Sequence, residues 1–579
     1  MQTIETYLND ILETAFKKCG FDTSYAVAKT SARPDLAQFQ CNGAMPLAKA
    51  HKKAPFLLAE EIINALDDTS MFEKIEVVKP GFINITMTDT ILAAFSNKTK
   101  SETQFGYQHP SNSKTVIFDF GGPNVAKPMH VGHIRSSLIG DALQRLYRYC
   151  GDQVISDVHL GDWGTQMGML IEIIKEKQPN LPYFDDQEHD SYPEISPVTV
   201  DELSILYPEA SLACKEDPAK MEAARQATAD LQNGHKGYRA LWQHFVTISI
   251  EALKVDFGRL DVNFDLWYGE SDAFPYIEKM IADLKASNHA EPSDGALVIP
   301  FEGEEQPPLI LQKSDGAVMY GTTDLATIIQ RKSDFNVDEI LYVVDKRQAL
   351  HFKQVFDAAK QTNIAEDTYL EHVGFGTVNG KDGKPYKTRS GGVMRLRTLI
   401  DEALQKASEK YAEKSDTSLD NKDSIIQDIA MAAIKFADLS NIRTTDYIFD
   451  LDKFSQFEGK TGPYLLYSAV RIKSMLRKAD LNEKTEIMAP TDEAERQLIL
   501  RLLQFPNAIQ RAYEKKEPHH LCDQAYLLAQ SFSKFYTDCP ILNHEDDKVR
   551  ASRLALSNKV LAQLEVLLTI LGIKIPEQM

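Results

Sequence analysis

The chain has 579 residues, of which 43% are hydrophobic and 26% charged, a balance that excludes a disordered or fibrous protein and fits a soluble globular one. That length exceeds a single core and implies about three or four domains, while a formal net charge of -20 excludes a uniformly basic surface for nucleic acid and leaves only local cationic patches. Cys19, Cys41, Cys150, Cys214, Cys522 and Cys539 form no C-x-x-C pair, the charged, amphipathic opening MQTIETYLNDILETAFKKC is unlike a signal peptide, and no run nears the ~18 to 20 apolar residues of a membrane span, so a cytoplasmic protein without structural metal or disulfides is expected.

Residues 1–110 read as an α/β unit closing on KIEVVKPGFINITM, whose alternating apolar positions predict strands. The polar stretch SETQFGYQHPSNSK, 101–114, reads as a linker. In 111–450 strands and helices alternate as a doubly wound parallel sheet requires, the Rossmann-like arrangement. Its opening, KTVIFDFGGPNVAKPMHVGHIRSSLIGDALQRLYRYC, joins a buried strand at 116–120 to a Gly/Pro turn and an amphipathic helix. His130 and His133 stand at that junction, where free N–H groups favour an anion, Gly132 admits close approach, and two imidazoles can donate to phosphate oxygens. A nucleotide phosphate site, with ATP as ligand, follows from this order. The tetrapeptide alone favours two surface or metal-binding histidines; the strand, turn and helix around it reverse that in favour of the phosphate site.

Asp119 ends the first strand, where strand carboxyl ends open onto the ligand crevice. HLGDWGTQMGML, 159–170, brings His159 and Trp163 as candidates to line that crevice, although Trp163 suits a core equally. About 175–265 reads as a polar insertion, too small and acidic for a separate editing domain, and LWYGESD, 266–272, as scaffold. Tyr320 and Asp324 in AVMYGTTDLATIIQRK share one helical face. Lys381, Lys384, Lys387, Arg389, Arg395 and Arg397, against Asp382 alone, make 381–397 a basic loop suited to triphosphate, or a solvated turn. From 453 to 579 the period is helical and predicts a bundle, for RNA binding or for dimerisation. Arg471, Lys473, Arg477 and Lys478, and Lys548, Arg550 and Arg553, are candidate cationic patches; Tyr464, Tyr467, Phe535 and Tyr536 are stacking or core aromatics.

The string PNVAKPMHVGHIRSSLIGD resembles the first signature of class I aminoacyl-tRNA synthetases in its arginyl form, and KDGKPYKTRSGGVMRLR resembles a degenerate second signature, Lys-Met-Ser-Lys-Ser. ARPDLAQFQCNGAMPLAKA resembles the N-terminal module that contacts the tRNA's outer corner, and the 453–579 bundle the anticodon-binding domain of that family. The resemblance implies His130, His133, Lys127, Lys384 and Lys387 as the catalytic set, and Val131, Gly132, Thr388 and Arg389 with them around ATP. It implies Asp119, Asn124, His130, Tyr320, Asp324 and Gln348 around arginine, with Gln354 an alternative to Gln348. Gly121 and Gly122 stand where relatives often carry a serine.

A carboxylate pair is also what a guanidinium needs, since planar bidentate contacts select it and an apolar pocket does not. The implied activity is arginine–tRNA ligation: L-arginine, ATP with Mg²⁺, and tRNA(Arg) as partners, two steps through an arginyl adenylate, no covalent enzyme intermediate, tRNA required for the first step, and a monomer. Two rivals are an RNA-independent enzyme adenylating a small acid, which the terminal modules disfavour, and a non-catalytic RNA-binding paralogue, which the irregular 384–388 loop keeps open.

Overall fold

The computed structural model describes residues 3–579 apart from 32, 34, 110–111, 186–188, 190, 302, 304–305, 315, 385–393, 415–420 and 480–484. The chain forms two compact units, 1–109 with 457–569 and 574–579, and 110–456 with 570–573. The sequence led us to expect three successive blocks; the first and last of them join into one unit.

In that unit, Ala28–Thr30, Phe39–Cys41, Phe82–Met87 and Phe72–Val78 form an antiparallel sheet in this spatial order. The alternating run expected as strands supplies its last pair, with Ile85 opposite Ile75 and Ile83 opposite Val77. Five longer helices follow from the C-terminal segment, Gly462–Arg477, Glu493–Leu502, Phe505–Lys515, His519–Asp538 and Asp547–Ile570. Specific pairs join the two segments: Arg496 Nη2 to Asp89 at 2.6 Å, Asn507 Nδ2 to Glu5 at 2.7 Å, and reciprocal hydrogen bonds of Asn97 with the Ile487 backbone at 2.8 Å.

Each of the two expected cationic patches loses a member to an internal partner. Arg553 is buried and bound to Glu495 at 2.5 Å and Asp492 at 2.6 Å, while Lys473 pairs with Glu577 at 2.9 Å. Phe535 is core, and Tyr536 lies under Arg471 with the guanidinium carbon 3.8 Å from the ring centre.

The second unit is built on four parallel strands in the order Tyr369–His372, Glu339–Val343, Thr115–Phe120, Gln153–Asp157. Val116 to Phe120 is buried throughout, as a parallel strand covered on both faces must be. The chain runs from the strand at 115–120 outward to one side and later returns to its other side, so the switch point lies between 115–120 and 339–343, where such sheets bind ligands. Ser136 ties the two strands there: its Oγ accepts the Gly121 N–H at 2.8 Å and donates to the Val343 carbonyl at 2.7 Å.

Helices Glu270–Ala286, Tyr320–Asp334 and Ala349–Gln361 pack over the sheet through Ile281, Leu325, Ile328, Phe352 and Val355 against Ile117 and Ile340. A three-stranded antiparallel sheet, Glu291–Ser293, Ala296–Ile299 and Leu309–Gln312, interrupts the expected βα alternation. The expected polar insertion is helical over Val200–Glu216, Pro218–Gln232 and Lys236–Arg259. Its first helix starts at a capping box, with Thr199 Oγ1 accepting the Glu202 N–H and Glu202 accepting the Thr199 N–H at 2.7 Å. Among the described residues no helix is long and apolar enough to cross a membrane.

Candidate active site

The turn after Phe120 requires glycine. Gly121 and Gly122 have φ of +91° and +49°, and a Cβ on Gly121 would lie 3.2 Å from both Phe257 and Phe264. Asn124 then pairs with Gly161: Val125 N–H donates to the Gly161 carbonyl at 3.0 Å and Gly161 N–H to that of Pro123 at 3.1 Å. A side chain at 161 would collide with Asn124 Oδ1, 2.4 Å from an ideal Cβ, so this glycine keeps the Asn124 amide in place. Lys127 lays its ammonium 4.5 Å from the Tyr207 ring centre.

The two signature segments meet through backbone. Val131 N–H donates to the Met394 carbonyl and Leu396 N–H to that of Met129, both at 3.0 Å, with His130 opposite Arg395. Arg397 Nε lies 2.6 Å from Asp256. Upstream, Lys384 N–H donates to Asp382 at 3.1 Å, and Lys381 pairs with Asp450 at 3.2 Å. Lys387, Thr388 and Arg389 lie outside the described residues.

His130 and His133 stack with ring centres 3.9 Å apart at the start of Gly132–Tyr149. The Nδ1 of His130 accepts the Gly132 N–H and that of His133 the His130 N–H, both at 3.1 Å. Those bonds assign the proton to Nε2 on each ring, leaving two outward donors. Burial, then the neighbouring His130 and Lys127, pushes His133 down to about 3, and burial also lowers His130. Both rings are therefore neutral donors at neutral pH. Val131 is buried behind them and Gly132 is exposed at the helix start.

An acidic cluster lies next to Asn124. Glu270 begins its helix, and its N–H donates at 3.0 Å to Leu160, the neighbour of Gly161. Burial, reinforced by Asp162 and Asp324 against the opposing His159, raises the Glu270 carboxyl to about 7. Tyr320 opens the helix that carries Asp324 one turn later; its ring is largely exposed, and desolvation of the phenol and then Glu270 raise its pKa. Asp324 accepts from His351 Nε2 at 2.5 Å, a contact that raises the imidazole. A cluster of carboxylates with one held partly protonated, chiefly by burial, is suited to a bound cation.

The expected residues thus separate. Tyr320, Asp324, Asn124 and His159 belong to this neighbourhood, and Gln348 is exposed at the end of the turn Lys346–Gln348. Gln354 spends its amide on the Pro307 carbonyl at 2.9 Å. Asp119 is sealed and already holds an internal guanidinium, Arg331 Nη2, at 2.7 Å. Register explains this: Asp119 sits beside Asp157 on the next strand, and Arg331 Nη2, 2.6 Å from Asp157, bridges the two carboxylates. Trp163 is core, its ring 5.0 Å from that of Trp242 and 4.6 Å from the Arg239 guanidinium carbon. Glu270, read from sequence as scaffold, is the residue that reading missed; its only signal was an acid opening a helix, which is common without function.

Comparison with known proteins shows the family. Residues 93–451 match the family described as tRNA synthetases class I (R), catalytic domain, residues 465–579 the DALR anticodon binding domain, and residues 2–87 the arginyl tRNA synthetase N terminal domain. The chain is 54% identical over 585 residues, covering all of both chains, to an arginine–tRNA ligase of Francisella tularensis subsp. novicida, and 46% identical over 587 residues, again covering both, to one of Alkaliphilus oremlandii. The solved arginyl-tRNA synthetase of Plasmodium falciparum superposes over the whole of both chains with a TM-score of 0.83 at 28% identity. A parallel sheet with paired signature segments at its switch point, extended by both terminal modules, makes this chain a member of the class I arginyl-tRNA synthetase family.

Proposed function

We propose that the protein is an arginine–tRNA ligase that activates L-arginine with ATP and transfers it to the 3′-terminal ribose of tRNA(Arg), releasing pyrophosphate and AMP. The observation that carries the reading is the backbone ladder from Asn124 to Gly161 and from Leu160 to Glu270, which joins the phosphate-binding turn to the Glu270–Asp324–Tyr320 cluster. A guanidinium pairing with Asp324 and Glu270 sets the arginine carboxylate toward Asn124 and the nucleotide.

In the first step a carboxylate oxygen attacks the α-phosphorus and the bond to the bridging oxygen of pyrophosphate breaks. His130 and His133 donate Nε2–H to phosphate oxygens, Lys127 supplies fixed positive charge, and Lys384, Lys387, Thr388 and Arg389 attend the leaving pyrophosphate. Among the described residues, the sole group of three side chains suited to a metal, Glu517, His519 and His520, is in the C-terminal helices, away from the HVGH stretch in sequence and unit. Mg²⁺ enters this reading as part of MgATP, where it neutralises phosphate charge. In the second step the terminal ribose hydroxyl attacks the adenylate carbonyl and AMP leaves; no side-chain nucleophile takes part.

The N-terminal module and C-terminal helices are the proposed tRNA surfaces, in a cytoplasmic protein acting as a monomer. The test is ATP–pyrophosphate exchange with each standard amino acid, with and without tRNA. Exchange with arginine alone, and only with tRNA present, is expected; exchange with another amino acid, or without RNA, overturns the specificity or the tRNA dependence.

A further inference from the structure

Helix Lys236–Arg259 belongs to the stretch that the sequence marks as a polar insertion, yet it grips both signature segments. Ser249 Oγ accepts at 3.0 Å the N–H of Ala126, a residue held at φ +62° just before Lys127. Asp256 binds Arg397 Nε at 2.6 Å, and Arg259 pairs with Asp401 in the helix after the basic segment. Positions 249, 256 and 259 recur at helical spacing, so one face of the helix makes all three contacts.

We propose that this helix is a brace that fixes residues 394–397 against 126–131, and that Asp256 is its positioning residue for the activation step; the proposal rests on the ligase reading above. The burial is lopsided. Asp256 is nearly sealed, whereas about half of the Arg397 side chain is open to solvent. A buried carboxylate that loses its partner is strongly unfavourable, so Asp256 dictates where Arg397 lies. The contact uses the directional Nε–H of the guanidinium, which an ammonium does not reproduce.

Arg397 continues directly from Met394–Leu396, whose backbone holds Met129 and Val131 on either side of His130. A shift of Arg397 is therefore passed to the His130 backbone through two hydrogen bonds. A small cavity lined by Lys127, Ser204, Ser249, Asp256, Arg395 and Arg397 gives the arginine room to move once its partner is lost. The acidic cluster proposed for the substrate guanidinium, on the helices that begin at Glu270 and Tyr320, has no part in this contact. In the proposed site His130 meets phosphate through Nε2 while the amino acid rests on Asp324 and Glu270, so loss of the brace should act on the nucleotide and leave arginine affinity near wild type.

The experiment measures arginine- and tRNA-dependent ATP–pyrophosphate exchange by the full chain, with Asp256→Asn, Arg397→Gln and the double substitution. Wild-type exchange tests the ligase reading by itself; the variants test the brace. Asp256→Asn is expected to raise KM for ATP by about tenfold, equivalent to about 1.4 kcal/mol of lost interaction, with KM for arginine unchanged. Arg397→Gln should do the same, and the double substitution should be no worse than either single one, because the two side chains act as a pair. If Asp256→Asn fails to fold, Arg397→Gln alone carries the comparison of the two KM values. Equal changes in both KM values, no change in either, or effects that multiply in the double variant would overturn the proposal.

Discussion

Arg331 places Nη2 2.7 Å from Oδ2 of Asp119, with both side chains closed to solvent, so a carboxylate that the family pattern assigns to the substrate guanidinium is bound to a guanidinium of the protein itself. Because Asp157 shares the same nitrogen, one guanidinium faces two strand-end carboxylates there. Asp119→Ala removes one charge-assisted hydrogen bond from Arg331, which keeps Asp157, so it is expected to destabilise the protein by about 1.5–3 kcal/mol. Denaturant unfolding checks this. Normal stability combined with a large loss of arginine affinity would return Asp119 to the substrate pocket.

In the proposed site, arginine selectivity rests on the Glu270–Asp324 cluster. Asp324→Ala is expected to abolish arginine-dependent exchange while ATP binding to the free enzyme, followed by calorimetry, stays nearly intact; the loss corresponds to ~10⁴ or more where a buried polar group is left unpaired. Near-normal arginine kinetics in this variant would refute the pocket.

Arginine binding should depend on pH. The free Glu270 carboxyl, raised to about 7, keeps its proton below that value, and a guanidinium favours the anion, so binding releases a proton and weakens as pH falls below about 7. The limiting slope is about tenfold per pH unit. A protonated His351 competes for Asp324 in the same direction, so Glu270→Gln should weaken binding and flatten the profile without levelling it. Titration calorimetry across neutrality reads both effects, and an unchanged slope in the variant would exclude Glu270.

His133 offers a contrast. Its pKa of about 3 makes it a neutral hydrogen-bond donor throughout the working range, contributing no inflection near neutrality. His133→Ala should slow single-turnover adenylate formation by about 10², as loss of a preorganised donor does, with an unaltered circular dichroism spectrum. A rate equal to wild type would remove it from the chemistry.

Gly121 gives a test of backbone conformation. At φ +91°, with two phenylalanine rings 3.2 Å from a Cβ, Gly121→Ser should cost about 1–2 kcal/mol, read as a lower melting temperature. A melting temperature equal to wild type would mean that the turn relaxes to accept the side chain.

The sequence by itself determined the strand–turn–helix that carries His130 and His133, the strands of KIEVVKPGFINITM, the helical C-terminal segment and the family, because each is written in short stretches whose periodicity fixes local structure. Only the tertiary structure decided which charges meet. Strand register set Asp119 beside Asp157 and Tyr342, and Arg331 bridged the two carboxylates from a distant helix. A backbone bridge brought Glu270, outwardly a helix-opening acid, into the acidic cluster with Asp324, and packing turned Arg553 from an expected surface cation into a buried partner of Glu495. A local pattern says which face a residue occupies, whereas its partner depends on register and on chain segments hundreds of residues away, and that information exists only once the chain has folded.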